Sequence, residues 1–309
     1  PPVLPSPPTA LEFLQRLQTG AAPFLIAGAL DNRKRLQHWK DNEYLRRAMA
    51  GREVKVACTP DGRADDIKTG PLGDRWIFAL PEERSMPFGD LLSSFESALP
   101  PSASSSTRIP KQVLYLQSQD SNLITGSSLS PLLPDLLSSL DGSSSLSWAS
   151  QAFNSPPEAT NLWIGSSSST SSMHRDHYEN LFHVVRGRKI FTLFPPTEAY
   201  FLCEDEEEPF EVWRHVRGTE TEGEWGWERE GESETPWIPI EPALPVDCER
   251  NRRWGGKRYS KGLKGLKVVV EEGMTLFLPA GWYHHVAQEA DTPNDGQAGL
   301  CIAINWWYE

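Results

Sequence analysis

The chain has 309 residues, 38% hydrophobic and 10% aromatic, enough for one large core with a flanking preface. Its net charge of −12 argues against generic nucleic-acid binding, and the absence of an apolar run of about eighteen residues argues against a membrane span. The four cysteines (Cys58, Cys203, Cys248, Cys301) are far apart with no CxxC pair, against a disulfide framework or a zinc site and in favour of a reducing compartment, cytosol or nucleus.

The opening PPVLPSPPTA is Pro-rich and lacks an initiator Met, and reads as a flexible arm or trimmed terminus. Thr9 and Glu12 form a capping-box pattern before Leu11, Leu14 and Leu17, which predicts a helix over about 9–19. PFLIAG (23–28) predicts a strand. Leu36, Trp39, Leu45 and Met49 predict a second helix over about 33–49. Leu91, Leu92, Phe95 and Leu99 predict a third. Residues 1–110 are thus expected to form a mixed preface packed on the domain that follows.

From Gln112 the texture changes. VLYLQ, NLWIG, LFHVV, KIFTLF, KVVV, MTLFLP and CIAINWWY are short β-branched and aromatic segments, mostly separated by Gly or Pro turns. Residues 111–309 are therefore expected to be mainly β, a jelly roll. Two stretches look like insertions into it: an acidic one, 204–236, which opens with EDEEE, and a basic one, 250–267, with eight Lys or Arg and no acid. Both are expected to be solvated surface loops; the alternatives are that one or both touch a partner, or that the two pair with each other. Ser-rich runs at 103–106, 143–146 and 166–169 are expected to be loops.

MHRDHYENLFHVV contains His174 and Asp176, and LPAGWYHHV contains His284 and His285. On one strand, positions i and i+2 share a face, so His174 and Asp176 can reach one metal together. A third ligand comes from whichever histidine of the HH pair points inward. Two imidazoles and a carboxylate on one face of a metal leave the opposite face open, which suits a non-haem Fe(II) that binds a cosubstrate and dioxygen. His38, His177, His183 and His215 are expected to be packing or surface residues.

An oxygenase of this kind needs a cation for the far carboxylate of 2-oxoglutarate. Lys189 in GRKIFTLFPP, just past the Gly187 turn, starts a strand that returns beside the His174 strand. Tyr115 and Ser171 are candidate hydroxyls for the same carboxylate. Asn180 and Asn305 are amides in otherwise apolar strands, and buried amides need partners. Asp120 and Glu179 flank the site motifs as candidate acids toward a basic substrate.

In order, ACTPDGRADD (57–66), VLYLQSQDSNL (113–123), LLPDL (132–136), WASQAF (148–153), NLWIG (161–165), HRDHYENLFHVVRGRKIFTLFPP, PWIPI (236–240), LPAGWYHHV and AINWWYE resemble the JmjC-domain 2-oxoglutarate oxygenases, closest to their small lysyl-hydroxylase branch. The resemblance covers nearly the whole chain. It implies a double-stranded β-helix with His174, Asp176 and His284 as Fe(II) ligands. It implies Lys189 as the 2-oxoglutarate anchor beside Tyr115 and Ser171, where the family often has Thr. It also matches Asn305 and Trp307 to a C-terminal pattern of the group.

The resemblance implies dioxygen as cosubstrate and ascorbate as reductant. The partner is a protein carrying a target lysine, in this branch a developmentally regulated GTP-binding protein, hydroxylated on a side-chain carbon. Three alternatives stand beside this reading. JmjC demethylation of N-methyl-lysine or N-methyl-arginine uses the same iron but removes one methylene instead of adding one oxygen. A histone-tail protease would need a Ser–His–Asp, Cys–His or HExxH arrangement, and none is evident. A non-catalytic cupin module would not need the intact metal and cosubstrate positions.

Overall fold

Strand alternation organises the molecule: Phe182 and Val184 turn to one side of their strand, Leu181 and Val185 to the other, and both sides are buried. The computed structural model describes residues 1–30, 34–71, 73, 75–97, 112–117, 119–204, 209–217, 224–256, 258–259, 263, 265–292 and 297–309. A nine-stranded sheet runs in the order Val3–Leu4, Phe24–Ala27, Met274–Leu278, Glu179–Arg186, Cys301–Tyr308, Ala159–Gly165, Val113–Leu116, Glu53–Thr59 and Glu82–Pro87. A five-stranded sheet runs Leu266–Val270, Arg188–Phe194, Tyr283–Glu289, Thr170–His174 and Arg63–Ala64.

Tyr115, Trp163, Phe182, Val184 and Ala303 of the larger sheet meet Phe191, Leu193, Val268, Val270 and Val286 of the smaller one in a single core. This is the expected β-sandwich of a jelly roll. Burying each large apolar side chain contributes roughly 1.5–3 kcal/mol. The other face of the larger sheet packs against Phe13, Leu36, Trp39, Leu45, Phe88, Leu91 and Leu136 from the helical segments. The N-terminal strands Phe24–Ala27 and Glu53–Thr59 pair directly into the larger sheet.

The first helix, Ala10–Gln18, carries the expected capping box. The second is split, a 3-10 turn over Arg35–Lys40 and an α-helix over Asn42–Ala48, because the Asp41 side chain accepts the Glu43 backbone N–H and restarts the chain as a new N-cap. The third runs Phe88–Ser97, and Leu99 and the serines at 103–106 lie outside the described residues. The Pro-rich opening is not a free arm over its whole length, since Val3 and Leu4 pair in parallel with Leu25 and Ile26.

The acidic stretch is not simply a loop. Its described part forms a hairpin, Phe210–Arg217 with Trp225–Thr235, inside a four-stranded sheet with Trp76–Leu80 and Asp66–Thr69. Phe210 and Val212 alternate inward to a third core while Glu211 meets Arg75 and Arg229. The basic stretch is helical over Glu249–Gly255. Arg250 turns inward onto Asp66, and Trp254 packs edge-on to Phe210 at 5.8 Å. Packing of Trp254 on Phe210 joins the two stretches.

Candidate metal and cosubstrate site

His174 and His284 stand opposite each other in register on adjacent antiparallel strands, with ring centroids 4.1 Å apart. The strand Thr170–His174 ends at its histidine, so Asp176 reaches the site from the segment beyond it rather than from the same pleat. Pairing shifts register between Ser171 and His174, and the Gly281 N–H holds the Asp176 carbonyl at 2.8 Å. That bond ties the Asp176 segment to the turn before the His284 strand. One donor atom from each of His174, Asp176 and His284 lies within 4.8 Å of the others.

Both imidazoles are oriented. His174 Nδ1 lies 2.7 Å from the Ser172 carbonyl and His284 Nδ1 lies 3.0 Å from the Trp282 carbonyl. With Nδ1–H donating to those carbonyls, each Nε2 keeps a lone pair for a metal. Burial, then His174, pushes the His284 pKa down to about 4, so the ring is neutral at physiological pH. His285, one residue on, points to the opposite face, 3.3 Å from Glu241.

The three donors open into a cavity of about 390 Å³ between the sheets. Lys189 lies at its inner end, 2% exposed, with its ammonium donating to Tyr115 Oη at 2.8 Å. It makes no ion pair with any described residue. A buried ammonium without a counter-ion is costly, so the residues present fit a carboxylate of an anionic cosubstrate. Gly165 makes room for this pair: a Cβ there would lie 2.7 Å from the Tyr115 ring.

Ser171, Asn180, Asn305 and Trp307 all line the same cavity. Asn305 accepts from Trp163 Nε1 at 2.8 Å and donates to Asn180 Oδ1 at 3.2 Å, which gives each amide a buried partner. Trp307 stacks on Tyr178, and its buried Nε1 has no hydrogen-bond partner among the described residues. Asp120 lines neighbouring clefts and not this cavity. Glu179 accepts the Ala280 N–H at 3.2 Å and is likewise not part of the lining. His183 is buried against Thr275, His215 packs on Trp227, His38 sits beside Tyr44, and His177 is exposed.

Sequence patterns do not reveal Trp163, Trp237 or Asp65 as site residues, yet all three line the cavity. Trp237 stacks over the His174 ring at 6.2 Å and 14°. It arrives from PWIPI, far along the chain, a contact no local period encodes.

A family model described as a cupin-like domain matches residues 10–309. The chain is 36% identical, over 100% of itself and 84% of the relative, to a Homo sapiens protein named bifunctional peptidase and (3S)-lysyl hydroxylase JMJD7. It is 32% identical to Dictyostelium discoideum JmjC domain-containing protein E, over 98% of this chain and 82% of the relative. It is also 32% identical to Arabidopsis thaliana lysine-specific demethylase JMJ32, over 98% and 80%. A β-sandwich holding a His–Asp–His cluster above a buried lysine, together with these matches, shows that the chain belongs to the cupin-like JmjC-domain family of Fe(II)- and 2-oxoglutarate-dependent oxygenases.

Proposed function

We propose that the protein is a lysyl hydroxylase that adds one oxygen to a side-chain carbon of lysine in a protein substrate. The observation that carries this reading is one cavity with the three metal donors at one end and the unpaired Lys189 ammonium, bonded to Tyr115, at the other. His174, Asp176 and His284 would hold Fe(II). Lys189, Tyr115 and Ser171 would hold the distal carboxylate of 2-oxoglutarate, with Asn180, Asn305 and Trp307 around it. When bound, iron and 2-oxoglutarate supply the oxidising chemistry, with dioxygen consumed and succinate and CO2 released.

The protein's share is positioning and shielding. The paired strands fix the two imidazoles, and Trp163, Phe182 and Phe191 wall the cavity against water. The name of the human relative, a (3S)-lysyl hydroxylase, supports lysine C-3 hydroxylation. We take the partner to be a developmentally regulated GTP-binding protein and, from four cysteines spread far apart in the sequence with no CxxC pair, the compartment to be cytosol or nucleus. The name of the Arabidopsis relative supports a second reading, N-methyl-lysine demethylation in the same cavity.

Product mass separates the two. Lysine peptides from such a GTP-binding protein, unmethylated and methylated, would be incubated with enzyme, Fe(II), 2-oxoglutarate, ascorbate and air, with His174→Ala as control. A gain of one oxygen on unmethylated lysine, absent in the control, is the expected result. Loss of one methylene from the methylated peptide alone would replace hydroxylation with demethylation.

A further inference from the structure

Two adjacent aspartates, Asp65 and Asp66, share the motif ADD but not an environment. Asp66 is buried and meets Arg63 at 2.7 Å and Arg250 at 2.8 Å. Its charge is spent inside the fold. Asp65 turns the other way, into the wall of the metal cavity. Its carboxylate forms no ion pair with a described residue, and its one hydrogen bond comes from Gln117 Nε2 at 3.1 Å. Burial pushes this carboxyl up, and the Gln117 bond only partly offsets that.

The backbone holds Asp65 in place by two devices. Its φ is +53°, a left-handed conformation that Asp and Asn adopt more readily than other side chains. Its carbonyl accepts Ser172 Oγ, which in turn accepts Trp237 Nε1 at 3.1 Å. Ser172 is on the His174 strand, so this chain of bonds fixes the carboxylate relative to the metal donors. Phe78 and Trp237, with rings 4.5 Å apart, stand in the same wall as an apolar surface. A second cleft of about 350 Å³ shares Asp65, Gln117 and Gln119 with the metal cavity. Asp65 therefore stands at the junction of the two spaces.

An unpaired, half-buried carboxylate beside an aromatic wall, set above a metal site, is the chemistry that receives an alkylammonium. We propose that Asp65 is the specificity-determining residue that binds the ammonium of the target lysine, with Phe78 and Trp237 against its methylenes; this rests on the lysyl hydroxylase reading. Other acids nearby have partners of their own: Glu204 pairs with Arg175 and Tyr283, Glu179 caps a backbone N–H, and Glu83 of the second cleft pairs with Lys55 at 3.4 Å, while Asp120 lines that cleft but not the metal cavity.

The test uses n-butylamine and n-butanol as probes, one a lysine side-chain mimic and the other its neutral counterpart. Binding is read from tryptophan fluorescence of the full chain loaded with Mn(II) and 2-oxoglutarate. The parent is expected to prefer the amine by at least about tenfold, the usual worth of a hydrogen bond to a charged group. Asp65→Asn, which tolerates the same φ, is expected to lose that preference while its melting temperature stays near the parent's. No amine preference in the parent, or an undiminished one in the variant, overturns the assignment. A lysine peptide hydroxylated equally well by parent and Asp65→Asn also overturns it, and leaves the hydroxylase reading intact. An Asp65-dependent amine preference with no oxygen gained on any lysine peptide supports the assignment and removes the hydroxylase reading instead.

Discussion

Lys189 is buried with a single hydroxyl for company, and that isolation makes it the residue on which cosubstrate binding turns. Lys189→Met should lower 2-oxoglutarate affinity by at least about thirtyfold, because a buried charge pair loses one member. Metal stoichiometry should not change; calorimetric titration of each ligand checks both. The neighbouring histidines give a sharper contrast: His284→Ala should abolish stoichiometric metal binding and His285→Ala should retain it, as metal analysis of the loaded protein would show. Sequence alternation alone says that these two rings point opposite ways. It does not say which way is inward, and the structure resolves that through the His174–His284 register and the Glu241 contact of His285. Lys189 was legible because it opens an apolar strand, IFTLF, just past the Gly187 turn. Asp65 and Trp237 were not, because their place in the cavity depends on pairings between distant segments.

At the scale of elements, two close approaches should be sensitive to substitution. Gly165→Ala would place a Cβ 2.4 Å from Gln288 Nε2 and 2.7 Å from the Tyr115 ring. Overpacking of this kind costs about 1–3 kcal/mol, and the displaced Tyr115 should also weaken 2-oxoglutarate binding, so melting and titration should move together. Arg250→Met should cost about 1.5–3 kcal/mol, since it removes one of the two arginines that hold the buried Asp66 and leaves Arg63 as its ion-pair partner. Adding Asp66→Asn should restore part of the loss, measured as a double-mutant cycle in chemical denaturation. The barrel strands were readable from β-branched and aromatic runs, and the first helix from its capping box. The hairpin within the acidic stretch was obscured because many of its outward residues are charged (Glu211, Glu228, Arg229, Glu232, Glu234), which masks the alternation of Phe210 and Val212. The helix Leu133–Ser139 is too short to show a clear period.

Across the whole molecule, buried histidines set the acid limit of stability. Burial pushes His183 down to about 3. Burial, then Arg63, pushes His285 down to about 4. An unfolded histidine titrates near about 6.5, so below that pH the unfolded chain binds protons the folded one refuses. Stability from these residues is full above about 6.5 and is lost as pH falls toward the folded values. The depressed carboxyl of Asp66, where burial is outweighed by Arg250 and Arg63, adds a further loss at lower pH. Melting temperature should therefore be level above neutrality and fall from about pH 6.5 to 4, less steeply in His183→Gln; a rise over that range would contradict the assignment. Everything else in the fold serves one cavity, and its occupancy is the central claim. The most direct measurement is anaerobic titration of the Fe(II)-loaded protein with 2-oxoglutarate, following the visible charge-transfer absorption of a 2-oxo acid chelated to iron. The account predicts a saturable band at one equivalent per chain, lost in Asp176→Ala and shifted to much higher 2-oxoglutarate concentration in Lys189→Met. A parent protein that binds Fe(II) yet develops no band, or a Lys189→Met titration that overlays the parent's, would contradict it.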